Sequence, residues 1–208
     1  MNYSYINRLS TASLCCLLLF SACDKEERPI SPDLPVHEEK VVLNLLADYK
    51  TRPFFKFSTG EVVSKPTGDN WDIRFDNAQL KINGGNMSNP VRTGNGKGII
   101  IHTAYQNVKE IPNLSELKQD NGREDYALGY RSGGTSWYYL DDNNFYIPYP
   151  EKTLFIQTAD GKGFVKLQIL SFYRDMPNMK GETYDSMSSR MGYFSFRYQY
   201  IEKGQRFH

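Results

Sequence analysis

Cysteine is scarce in this 208-residue chain, and its three copies, Cys15, Cys16 and Cys23, all lie within the first 23 residues. The rest of the chain therefore cannot form a disulfide framework. An excess of one charge is also lacking, since 25 Lys and Arg stand against 24 Asp and Glu. No stretch reaches the Lys and Arg density that a surface following phosphates needs, so we expect no nucleic-acid partner.

Histidine is equally scarce, with His37, His102 and His208 as its only copies. The zinc patterns HExxH and CxxC are absent. His102 would have to serve as the single general base, and in the apolar stretch "GIIIHTAY" we expect it to be a core or surface-strand histidine instead. "GNGKG" lacks the Ser or Thr and the helix of a P-loop, and "DDNN" lacks the spacing of an EF-hand. We therefore expect that the protein is not an enzyme and that it holds no metal ion other than one carried by a cofactor.

Long apolar runs are missing too, because the longest, "LCCLLLF", is shorter than the ~20 residues that span a bilayer. It follows Arg8 and precedes small residues, as the core of a secretory signal does. The order Phe20-Ser21-Ala22-Cys23 resembles a bacterial lipobox. This resemblance implies a signal peptide at residues 1–22 and an acylated Cys23, whose two or three lipid chains would hold the protein permanently on a membrane.

Residues 23–39 are predicted to be the acylated cysteine followed by a flexible tether, since prolines and charges alternate there. The run "DKEE" directly after Cys23 is either a solvated linker or a tag of the kind that resembles lipoprotein export signals of some Gram-negative anaerobes. From the leader we expect a lipid-anchored protein of the outer membrane, at the cell surface.

Aromatic residues are abundant, with 15 Tyr, 12 Phe and 2 Trp, and 16 Gly and 10 Pro divide the chain into short segments. This composition favours an all-β fold. "WDIRFDN" alternates apolar and polar residues as a half-buried strand does, and "GYFSFRYQYIE" is also interpreted as a strand. "KVVLNLLADY" could be a strand or a short helix, and the opening Val41 and Val42 together with the lack of helix caps favour a strand. "KTLFIQTADGKGFVKLQILSFY" predicts a hairpin that turns at Asp160-Gly161. Residues 40–208 are therefore predicted to form one antiparallel sandwich with long loops, in which Asn113 caps one helical turn.

Four methionines crowd the segment "RDMPNMKGETYDSMSSRMG" between the last two predicted strands. A thioether can pack against an irregular apolar surface, and it can also ligate a soft metal or haem iron. The sequence leaves both roles open for these residues, which are Met176, Met179, Met187 and Met191.

Four stretches together resemble the HmuY family of haem-binding outer-membrane lipoproteins: "WDIRF", a strand at Trp137, "TLFIQTADGKGFVKLQI" and "YFSFRYQY". The resemblance covers most of residues 40–203. It implies a hand-like, all-β fold that holds haem between loops at the fingertips through two axial His or Met side chains. It also implies capture of haem from host haemoproteins and delivery to a TonB-dependent receptor.

The family's ligand loops correspond to residues 115–135 and to "DDNNF", and neither contains His or Met. The candidates for axial ligands are therefore Tyr126 and Tyr130 in the first loop and the four methionines of the final hairpin. The leading hypothesis is a surface-anchored lipoprotein that binds haem. The alternative is a surface lipoprotein that binds a glycan or a protein partner through exposed Tyr and Trp, without haem.

Overall fold

The computed structural model describes residues 37–122 and 124–207, so the predicted signal peptide, Cys23 and most of the tether lie outside the described residues. No helix in the described part is long and apolar enough to cross a membrane. The strands are β1 Lys40–Leu46, β2 Phe54–Lys56, β3 Glu61–Val63, β4 Ile73–Asp76, β5 Gln79–Ile82, β6 Lys97–Ile101, β7 Tyr138–Leu140, β8 Tyr146–Pro148, β9 Thr153–Gln157, β10 Gly163–Tyr173 and β11 Met191–Glu202. The helical elements are α1, Tyr184–Ser188, and the 3-10 turns Tyr105–Asn107 and Leu114–Glu116.

These strands form two antiparallel sheets and a separate hairpin. The five-stranded sheet has the order β1-β11-β10-β9-β6, and the four-stranded sheet has the order β3-β2-β4-β5. Strands β7 and β8 pair with each other. The predicted all-β, antiparallel fold is thus confirmed.

The core between the two sheets is built mainly from aromatic rings. Phe75 of β4 stacks on Phe196 of β11 with ring centroids 5.2 Å apart, and Phe55 of β2 meets the same ring edge-on at 5.6 Å. Pairs of this kind contribute about 0.5–1.5 kcal/mol each beyond the area that they bury. The opposite face of the five-stranded sheet is covered as well, by a smaller cluster around Phe155 and Phe164. The central strands are therefore buried on both faces.

The polar face of "WDIRFDN" was expected to meet solvent, and that expectation is wrong. Asp72 is fully buried. Its carboxylate is satisfied inside the protein, because it accepts the N–H of Phe57 at 2.9 Å and that of Ala159 at 2.8 Å. It also pairs with Lys56 at 3.2 Å. Burial raises the pKa of Asp72, against the opposing charge of Lys56. The carboxylate joins β2 and β4 to the turn between β9 and β10.

Two local predictions are confirmed. The β9–β10 hairpin turns at Asp160-Gly161, with Gly161 at φ 68°, and the Asn113 side chain accepts N–H donation from Ser115 at 3.2 Å. The placement of His102 in a strand is wrong, because β6 ends at Ile101 and the imidazole is exposed beyond it.

Candidate functional site

A buried ion pair fixes the loop that carries the candidate tyrosines, residues 120–135, which we name the tyrosine segment. Asp120 and Arg92 lie 3.1 Å apart with both side chains fully buried. The Asp120 carboxylate also accepts the N–H of Ala127 at 2.9 Å and that of Ile82 at 3.1 Å. Burial raises the pKa of Asp120 to about 6, although the N–H of Ala127 and the charge of Arg92 oppose the rise. One carboxylate thus ties the tyrosine segment to the end of β5.

The two candidate tyrosines of this segment form a stacked pair. The rings of Tyr126 and Tyr130 lie 5.6 Å apart at 25°, and both residues are half-buried. Gly129 between them has φ +80°, and a Cβ there would lie 1.9 Å from the carbonyl oxygen of Thr135. Only glycine tolerates that backbone and that close approach. The backbone itself therefore fixes the position of the pair.

The tyrosine pair lines a cleft of about 490 Å³, which we name the histidine cleft. Gly98 of β6 exchanges two backbone hydrogen bonds with Lys118, at 2.8 and 2.9 Å, and this brings the end of β6 beside the tyrosine segment. Sequence reasoning did not place His102 with the tyrosines, because no local pattern shows that pairing. The residues that line the cleft include Ile99, Ile100, His102, Lys118, Glu124, Asp125, Tyr126, Ala127 and Tyr130.

The same two tyrosines also line a second cleft of about 390 Å³, which we name the cation cleft. Asp76 stands at its wall and pairs with Arg52 at 3.0 Å, Arg74 at 3.8 Å and Lys81. One carboxylate is therefore shared by three cations. The side chains that define the cleft are those of Tyr49, Asp76, Lys81, Tyr126, Tyr130, Arg131, Tyr138 and Tyr146.

Three phenols at the cation cleft, those of Tyr126, Tyr138 and Tyr146, are neutral near pH 7. Burial raises the pKa of Tyr138 to about 12 and also raises the pKa of Tyr126 and of Tyr146. A neutral phenol both donates and accepts a hydrogen bond. Lys81 Nζ lies 5.8 Å from the ring centroid of Tyr126, and the Arg131 guanidinium lies 5.0 Å from that of Tyr130.

The four candidate methionines do not meet at one site. Met187, on α1, is only 1% exposed and belongs to the main core, and Met191 packs against that core at the start of β11. Met176 and Met179 line a separate cavity of about 360 Å³ beside Tyr146 and β10. Among the described residues, no methionine lines the histidine cleft or the cation cleft.

Within the described part of the chain, no group of three or more His, Cys, Asp or Glu side chains could hold a metal ion. The acidic "DDNN" stretch is a turn, in which Asp141 accepts the N–H groups of Asn143 at 3.0 Å and Phe145 at 2.8 Å. The donors that share a cleft and suit haem iron are the imidazole of His102 and the phenols of Tyr126 and Tyr130, since haem iron accepts both types.

Neither a protein-family model nor a curated protein matches the chain. Among solved structures, the crystal structure of the apo HmuY analogue of Tannerella forsythia superposes with a TM-score of 0.53. It covers 82% of this chain and 100% of that chain at 13% sequence identity. The fold is HmuY-like. At this identity the likeness confirms the fold that the sequence resemblance implied and carries no ligand with it.

Proposed function

We propose that this protein is a surface-anchored lipoprotein that binds haem in the histidine cleft. The observation that carries the proposal is that a HmuY-like chain gathers His102, Tyr126 and Tyr130 in one cleft of about 490 Å³. The family's usual ligand positions lack His and Met in this sequence. The histidine cleft supplies iron-binding side chains from other positions, which supports haem as the cargo.

The wall of this cleft suits a flat apolar ring. Ile99 and Ile100 of β6 line the cleft together with the charged Lys118, Glu124 and Asp125, and Gly98, Gly129 and Gly134 leave stretches of wall without side chains. Burying apolar surface gains ~25 cal/mol per Å², so a ring that loses about 200 Å² of apolar area gains about 5 kcal/mol before any iron ligation. Lys118 at the same cleft can pair with a carboxylate of the ligand.

The three candidate ligands differ in how readily they can bind iron. His102 is exposed, so its ring nitrogens are accessible. Burial raises the pKa of Tyr126, while the nearby charge of Arg92 acts in the opposite direction. A phenol binds ferric iron best after it loses its proton, and the charge of a bound metal favours that loss. We therefore propose His102 as the first ligand and Tyr126 or Tyr130 as the second.

The biological role that we propose follows from the leader and from the HmuY resemblance. The acylated Cys23 would hold the domain at the outer face of the outer membrane. The protein would take haem from host haemoproteins and pass it to a TonB-dependent receptor, without catalysing a reaction itself. Haem is cargo in this scheme, and the residues of the histidine cleft hold and release it.

Haemin titration of the purified protein tests the proposal. We expect a Soret shift that saturates near one equivalent, and we expect His102→Ala and one of the two variants Tyr126→Phe and Tyr130→Phe to change the position of the band. Met176→Ala and Met179→Ala are matched controls that should leave the spectrum unchanged. A flat titration in both the ferric and the ferrous state would contradict haem binding. Loss of the shift in the methionine variants alone would move the site to the cavity beside β10.

A further inference from the structure

We infer that the cation cleft is a second binding site, for a sugar that carries a carboxylate. This inference stands apart from the haem proposal, because the charged residues on which it depends do not line the histidine cleft. The clefts share only the stacked Tyr126 and Tyr130.

The first argument is an imbalance of charge. Asp76 pairs with Arg52, Arg74 and Lys81, and within the described residues no other carboxylate pairs with any of these three cations. The side chains of Arg74 and Lys81 are only 8% and 14% exposed, so water solvates them poorly. Of these three cations, Lys81 lines the cleft, and a ligand carboxylate there would supply negative charge to it at short range.

Arg131 is a second cation that lines the same cleft, and little holds it in place. Arg131 pairs with Glu124 at 3.6 Å, but both side chains are about 70% exposed, and exposed pairs of this kind are weak. Its guanidinium instead lies over the ring of Tyr130. It can therefore exchange Glu124 for a ligand carboxylate, which a guanidinium binds through two parallel hydrogen bonds.

The second argument is the density of tyrosines, which selects a sugar over a simple anion. Five tyrosines line the cleft, and Tyr49 is 73% exposed. The exposed Tyr49 and the half-buried Tyr126, Tyr130 and Tyr146 offer apolar surface to the C–H groups of a pyranose ring, and tyrosine hydroxyls match the donors and acceptors of sugar hydroxyls. An inorganic anion would use the cations and leave this aromatic surface uncovered. The tyrosines that line the cleft are Tyr49, Tyr126, Tyr130, Tyr138 and Tyr146.

Titration with D-galacturonate, followed by the NMR signals of the protein, tests the inference. D-galactose is the matched neutral ligand, because it has a hydroxymethyl group where galacturonate has the carboxylate. We expect saturable binding of galacturonate, binding of galactose weaker by about tenfold or more, and weaker galacturonate binding at high salt. Lys81→Gln should weaken galacturonate binding by about fivefold or more. Lys162→Gln, in the exposed β9–β10 turn, is the control and should change nothing.

Arg131→Gln provides a second test, since Arg131 is exposed and its replacement should not disturb folding as a change at Asp76 would. Equal binding of galacturonate and galactose, or no binding of either, would overturn the inference. Competition by acetate at the same concentration as galacturonate would overturn the assignment to a sugar.

The haem proposal and this inference fail separately. Lys81→Gln should leave the haemin titration unchanged, and His102→Ala should leave galacturonate binding unchanged. A protein that binds galacturonate and ignores haemin supports the sugar site and contradicts the proposed function. The reverse result contradicts only the sugar site.

Discussion

Two loop segments of the chain carry candidate iron ligands named from the sequence, and different kinds of residue hold these segments to the core. In the tyrosine segment the anchor is Asp120, which pairs with Arg92 and leaves Tyr126 half-exposed. In the methionine segment, residues 174–190, the anchor is Met187, a candidate ligand that is itself 1% exposed. Tyr126 stays available to a ligand because Asp120 anchors its segment, whereas Met187 is not available because it is the anchor itself.

Local structure explains why Met187 points inward. Thr183 caps α1 by accepting the N–H of Ser186, and the Ser186 hydroxyl accepts the N–H of Thr183 in return. This reciprocal cap fixes the short helix at a rotation that buries Met187 and leaves Tyr184 50% exposed. The helix of this segment therefore exposes Tyr184 to solvent and buries Met187 in the core.

The largest effect is expected at the anchor of the tyrosine segment. Asp120→Ala should lower the free energy of unfolding by about 4 kcal/mol, because it leaves Arg92 buried without its partner and removes the acceptor of two backbone N–H groups. Denaturant unfolding measures this loss. Glu124→Gln is the control in the same segment, and it should change stability by less than about 0.5 kcal/mol since its ion pair is exposed. A loss below about 1 kcal/mol in Asp120→Ala would mean that the segment is held by other contacts.

The next largest effect is expected in the methionine segment. Met187→Ala should cost about 3 kcal/mol, because it leaves a cavity in the main core. Met176→Ala should cost less than about 0.5 kcal/mol, since Met176 is 46% exposed. Chemical unfolding of the two variants measures the difference, and the haemin spectrum of each folded variant should match that of the unchanged protein. A spectral change in Met187→Ala alone would show that this methionine reaches the ligand after all.

Much of the sheet structure could be predicted from the sequence, because its signals are local. Alternation in "YFSFRYQY" and the turn at Asp160-Gly161 depend on neighbouring residues only. The burial of Asp72 could not be predicted, since its partner Ala159 is 87 positions away. The alternating pattern marked Asp72 as solvent-facing, and only the packing of the two sheets shows that it is internal.

The candidate site was less predictable than the sheets, because its residues meet through contacts between distant parts of the chain. Tyr126 and Tyr130 became candidates because the HmuY resemblance implies a ligand loop before Trp137, whereas His102 shares their cleft through long-range packing that includes the pairing of Gly98 with Lys118. Methionine gives no local signal that separates a ligand from a core residue, because its side chain serves in both roles. The sequence therefore names candidate segments and does not rank their side chains.

The smallest expected effect is on the pH dependence of stability, which changes with the charge of Asp120, the anchor of the tyrosine segment. Burial raises the pKa of Asp120 to about 6, above the value near 4 of an unfolded chain. Between these values the folded state binds more protons than the unfolded state, so this group's contribution to stability is full below pH 4 and is lost as the pH rises through 6.

Asp120→Asn cannot titrate at this position. Its cost relative to the unchanged protein should therefore be about 1 kcal/mol larger at pH 5 than at pH 7, as measured by denaturant unfolding at both values. A smaller cost at pH 5 would show that the attraction of Arg92 outweighs burial, and that the tyrosine segment is held by a fully ionised pair.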